Sequence, residues 1–200
     1  MALSAFRFLN GTRHYPVPPT PTVRIHVPTL SFKTLFRILL VLVVPTLLAL
    51  GAIDLQLRVP GNLHGIVSFE FCGWTGSCEA TLAAWGERGR QWAMLSLGLD
   101  YLFMLEYAGL VCLGLLMAEK RLVQGAAPGL ARVARVLAMV ALLAGGFDAA
   151  ENLCLIGVVH SGQGVALAHG AALFASIKFV MIGAALIALA AAWWRIKIIK

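Results

Sequence analysis

Residues 141–158 read ALLAGGFDAAENLCLIGV, an apolar helical run with Asp148, Glu151 and Asn152 at its centre. Spacings of three and four residues put these three side chains on one helical face. So apolar a run reads as a membrane span, where a central charged group costs about 2.5–3.5 kcal/mol on insertion scales. The polar face must therefore meet partners inside a bundle. The chain supplies three more ionisable groups at comparable depth, Asp100, Glu106 and Lys178.

Composition points the same way. The 200 residues are 60% hydrophobic and 12% charged, with a mean hydropathy of +0.86. A soluble domain carries about 25% charged residues. This length allows one bundle of modest size plus a short tail. The net charge of +7 is explained by topology rather than by nucleic acid. One side of the membrane would hold Arg7, Arg13, Arg24, Lys33 and Arg37, then Lys120, Arg121, Arg132 and Arg135, then Arg195, Lys197 and Lys200. The other side would hold only Arg58, Arg88 and Arg90. By the positive-inside rule both termini are cytoplasmic.

The expected fold is all-α, a polytopic membrane four-helix bundle with spans over 31–57, 91–118, 130–160 and 164–194. Pro45 should kink the first span, a break that membrane helices tolerate when neighbours re-satisfy the backbone. Asp54 falls at the outer end of that span and should be wet. Residues 1–30 form a cytoplasmic tail whose PVPPTP run favours extended, polyproline-like backbone. The alternation of Val23, Ile25, Val27 and Leu30 with polar residues or proline would suit docking along a partner.

The outer loop, 59–90, is the longest connection and should carry structure of its own. GIVSFEF (65–71) reads as a strand-like or interfacial segment. Ser77 is a good N-cap, with Glu79 in the first turn, for a short helix ending near Trp85 and Gly86. Trp74, Trp85 and Trp92 fall at the outer boundary, and Trp193 and Trp194 at the inner one, as interfacial belts require. Cys72 and Cys78 share this loop, where an oxidising compartment permits a disulfide across the short C-x5-C spacing. Cys112 and Cys154 lie in apolar helices and read as small hydrophobes.

Counting from the outer helix ends at 1.5 Å per residue, Asp100 and Glu151 share one layer, about 12–14 Å deep. Glu106, Asp148 and Lys178 share a deeper one, at about 18–21 Å. Lys178 lies on a small-residue seam with Ala171, Ala175 and Ala185, which permits close helix approach. Its expected partners are Glu106 and Asp148, with Tyr101, Tyr107 and Asn152 completing hydrogen bonds. Four acids against one base make a site for a proton, a cation or an amine one reading. A buried polar network that fixes helix register is the other. His160 and His169 lie nine residues apart near one membrane end, which argues against haem ligation. A metal at the acidic cluster would have to compete with Lys178, and neither a metal site nor any other cofactor is expected. No phosphate loop, nucleophile elbow or H-E-x-x-H occurs.

The runs GIVSFEF, ATLAAWGERGR, LGLDYLF and FDAAENLCL together resemble a bacterial family of small four-span membrane proteins. That family has a glutamate-bearing segment, an AWG stretch, an LD-[FY]-LF second span and a D-x-x-E-N third span. The resemblance covers about residues 50–160 and falls on Glu70, Trp85, Gly86, Asp100, Asp148, Glu151 and Asn152. It implies the fold and a bacterial inner-membrane location, and no particular activity. The cysteine pair and the Pro-rich tail depart from the pattern.

Two functions are compatible with these residues. In one, the chain is a non-catalytic accessory subunit docked to other membrane protein subunits, with the acidic cluster structural. In the other, the bundle encloses a site for a small ligand or proton, with an isomerase acting on a lipid-like substrate as a special case. There Asp148 and Glu151 would bind or exchange protons, Asp100 and Glu106 would tune them, and Lys178 would be the counter-charge. The added tail and loop favour the first.

Overall fold

The computed structural model describes residues 30–162 and 164–199, so the Pro-rich tail lies outside the described residues. In chain order the elements are α1 (Phe32–Leu55), α2 (Gly65–Glu70), α3 (Cys72–Thr75), α4 (Cys78–Gln124), α5 (Pro128–Ser161) and α6 (Val165–Ile199). Among the described residues there is no strand, only an isolated bridge between Val59 and Asn62. The four long helices α1, α4, α5 and α6 are apolar and long enough to cross a membrane.

Each helix boundary has a local cause. Ser31 caps α1 by accepting a hydrogen bond from the Thr34 backbone N–H at 3.1 Å. Pro45 is accommodated inside α1. Pro128 opens α5, where its missing N–H costs nothing, and Gly162 ends that helix in the left-handed region at φ 68°. These ends fall within a few residues of the expected spans.

Larger departures occur in the segment between the first two spans. GIVSFE is helical as α2, not strand-like. Asp54 is the reason: rather than standing in water, it accepts a hydrogen bond from the Ile66 N–H at 2.8 Å and pairs with Arg58 at 3.1 Å. Gly65, at φ 55°, is required there, because a Cβ would lie 2.0 Å from Asp54 Oδ1. Ser77 stands at the N-cap of α4 but makes no capping bond, its hydroxyl lying 2.7 Å from that of Thr75 instead. The short helix expected to end near Trp85 and Gly86 does end there: Gly86, with φ 58° and ψ −162°, breaks the helical backbone between it and the second span, and the two helices are numbered together as α4. Cys72 and Cys78 lie at disulfide-bonding distance, their Cα atoms 4.8 Å apart, which ties α3 to the start of α4.

Helices α4, α5 and α6 pack on one another, and α1 lies along α4. Two apolar cores stack along this bundle. One gathers Leu57, Phe69, Leu82, Leu97 and Leu155 around Trp85. The other is a small-residue seam of Ala131, Ala134, Ala138, Ala141, Ala185 and Ala192 against Leu115 and Leu122. Trp85 is thus a core residue, not a member of an interfacial belt: its indole N–H donates to the Leu57 carbonyl at 2.8 Å, and its ring lies 4.7 Å from Phe69. Trp74 and Trp194 are exposed as expected. Asp100 and Glu106 of α4, Asp148, Glu151 and Asn152 of α5, and Lys178 of α6 lie in the stretch between the two cores.

Candidate functional site

Lys178 is the hub of the polar layer. It stands about 20 Å along α6 from Val165 at the helical rise. Ala171 and Ala175 beneath it are fully buried, so α6 approaches α5 closely enough for the lysine to reach across. Its Nζ lies 2.7 Å from Glu151 Oε2 and 2.8 Å from Asp148 Oδ1. Asp148 and Glu151 are one turn apart on α5 and present both carboxylates to the same ammonium. The second oxygen of Asp148 accepts the Tyr107 hydroxyl at 2.7 Å. Next along the same face, Asn152 donates to Asp100 Oδ2 at 2.7 Å, while Tyr101 donates to the Ala149 carbonyl at 3.3 Å.

Of the six expected site residues, Asp100, Asp148, Glu151, Asn152 and Lys178 come together. Glu106 does not. It follows Asp100 by six residues, which turns its side chain about 120° around the helix axis. There it faces α1, and the Thr46 hydroxyl lies 3.2 Å from its Oε1. Lys178 accordingly pairs with Asp148 and Glu151 rather than with Asp148 and Glu106. Depth counted along a helix placed these groups in layers, but azimuth decides which of them meet.

Glu70 takes the place that Glu106 vacates. It ends α2, outside the four spans, and its Oε2 lies 3.6 Å from Lys178 Nζ. That is an ion-pair distance, beyond the reach of a hydrogen bond. The segment is carried inward by its neighbours. Phe69 is fully buried against Trp85, and Gly73 of α3 touches α6 so closely that a Cβ would lie 2.2 Å from the Ala168 carbonyl oxygen. Burial pushes the Glu70 carboxyl up to about 7, with Lys178 pulling it down and Asp100 and Asp148 pushing it up. The family resemblance marked Glu70. Composition alone offered one further signal, a lone carboxylate inside an aromatic and β-branched run.

The cluster is not sealed. It forms one wall of a cavity of about 470 Å³ lined by residues of α1, α2, α4, α5 and α6. Glu70, Asp100, Asp148, Asn152 and Lys178 supply the polar wall. Leu50, Val67, Phe103, Val111, Phe179, Ile182 and Leu186 supply much of the remainder, which is strongly apolar. Helices α1 and α6 both flank α4 and converge near Gly114, where a Cβ would lie 3.2 Å from Leu189 and 3.5 Å from Phe36. Among the described residues, no group of three or more His, Cys, Asp or Glu is arranged to hold a metal ion.

The chain matches no protein-family model, no curated protein and no solved structure.

Proposed function

We propose that this chain is a membrane protein that binds a small amphiphile in the cavity flanked by α1, α4 and α6. The observation that carries this reading is the cavity's two-part lining. Charged and hydrogen-bonding groups are gathered on one wall, and hydrocarbon side chains cover the rest. A volume of about 470 Å³ falls within the range of sites for small organic ligands, roughly 300–1,000 Å³. A closed register-fixing network would leave no such space beside its charges. The cavity therefore favours a ligand site over a non-catalytic accessory subunit whose polar cluster is purely structural.

The positive-inside distribution supports a membrane protein with both termini in the cytoplasm, and the family resemblance supports a bacterial inner membrane. In that orientation α2, α3 and the Cys72–Cys78 pair face the oxidising side, which suits a disulfide. The exposed apolar residues of α1, such as Val41 and Leu48, then face lipid or other membrane protein subunits.

The test is co-purification. Gly51 lines the cavity, and a Cβ there would meet nothing within 4 Å, so Gly51→Leu adds bulk to the cavity with no clash at Cβ. The wild-type chain, extracted in native lipid and washed, should retain a stoichiometric small molecule identifiable by mass spectrometry. Gly51→Leu should lose it while remaining folded. Equal retention by both proteins would contradict the reading.

A further inference from the structure

The charges lining the cavity do not balance. Glu70, Asp100 and Asp148 line it around a single ammonium, Lys178, which is already engaged by Asp148 and by Glu151, a residue outside the lining; Asp54, also on the lining, is paired with Arg58. Asp148 is completed by Tyr107, and one oxygen of Asp100 by Asn152. Two carboxyls of the lining are not fully engaged. Glu70 is only 9% exposed, lines the cavity, and no N–H or hydroxyl of the described residues donates to its Oε2. Asp100 lines the same space, with its Oδ2 accepting from Asn152. Carboxyls buried this way either hold a proton or take a compensating positive charge, because the low-dielectric surroundings strengthen repulsion among their anions. The aromatic part of the lining favours the same partner. Phe103 lines the cavity, and aromatic rings attract cations. Phe179 is already engaged, with Lys178 Nζ 4.9 Å from its centroid and Phe71 stacked at 6.0 Å.

We infer that the ligand is a hydrophobic ammonium, its cationic head held between Glu70 and Asp100 and its hydrocarbon part lying along α1 and α6. This rests on the reading of the cavity as an amphiphile site and adds the sign of the charge. An anionic head would meet uncompensated carboxylates. A neutral head would leave both carboxyls unpaired with charge.

Three probes of equal chain length separate these cases: decyltrimethylammonium, decanol and decanoate, each titrated calorimetrically below its micellar range. The protein is the full chain in lipid nanodiscs. Decyltrimethylammonium should bind at least about tenfold more tightly than decanol, a difference of about 1.4 kcal/mol. Decanoate should not bind. Glu70→Gln and Asp100→Asn should each weaken the ammonium about tenfold and leave decanol unchanged, and Gly51→Leu should abolish both. Two different acids are used so that a folding defect in one variant does not silence the test. If all three probes bind alike and Gly51→Leu removes them, the inference on charge is overturned while the amphiphile site stands. Ammonium binding that survives Gly51→Leu, Glu70→Gln and Asp100→Asn would overturn it as partition into lipid. Absence of binding to the wild-type chain overturns it too, with co-purification deciding the cavity reading separately.

Discussion

Lys178 of α6 lies 2.7 Å from Glu151 of α5, a residue with no exposed surface, and through this contact the bundle holds its acids together. The pair is not an isolated bridge. The same ammonium reaches Asp148 at 2.8 Å and Glu70 at 3.6 Å, so one cation serves two spans and the connecting segment.

Removing that cation leaves buried carboxylates without compensation. Breaking one partner of a buried pair costs about 3–5 kcal/mol. Lys178→Met should therefore lose about that much in chemical unfolding. The double variant Lys178→Met with Glu151→Gln should recover part of the loss, because one of the stranded charges goes with it. Losses that simply add would show that the two residues do not interact.

Glu106 should behave as a local clamp between α1 and α4. Glu106→Gln keeps an acceptor for the Thr46 hydroxyl, so it should cost no more than about 1 kcal/mol and leave ligand retention intact. Loss of the co-purifying molecule in this stable variant would put Glu106 back in the site.

The seat of Glu70 depends on the contact between α3 and α6. Gly73→Val forces side-chain atoms against the Ala168 backbone, and overpacking of this kind costs about 1–3 kcal/mol. Because Glu70 and Gly73 ride on one short segment, the variant should also weaken decyltrimethylammonium binding. Binding unchanged at reduced stability would separate the two.

Ammonium binding should strengthen as pH rises through about 7. Below that point Glu70 holds its proton and is neutral; above it the carboxylate opposes the cation. The groups facing Glu70 are Lys178 from α6, Asp100 from α4, and Asp148 and Glu151 from α5, with Asp54 of α1 on the same cavity. A quaternary head carries no proton, so the profile reports the protein alone. Glu70→Gln should flatten it near neutrality. A rise that persists in that variant would assign the titration elsewhere.

How far the chain could be read in advance follows from what one dimension encodes. Asp148, Glu151 and Asn152 share a helix face, and helical spacing makes that visible. The alanines at 171, 175 and 185 marked the close approach of α6, and all three are fully buried. Glu106 was misplaced because depth was counted along the axis while the turn around it was not. Trp85 was misplaced because an aromatic near a helix end suits a belt and a core equally, and only the fold puts Leu57 and Phe69 against it. Glu70 was outside the reach of depth counting altogether. Its position depends on Asp54 starting α2 and on Gly73 meeting α6, two contacts between residues far apart in the chain.

The most direct measurement is photo-crosslinking with a decyltrimethylammonium analogue carrying a diazirine at the end of its chain. Labelled positions are mapped by peptide mass spectrometry on the full chain in nanodiscs. The account predicts label on cavity-wall residues such as Leu50, Phe103, Ile182 and Leu186, competed away by unlabelled probe and lost in Gly51→Leu. Label spread over the exposed residues Val41, Leu48 and Ile187, and indifferent to competitor, would contradict it.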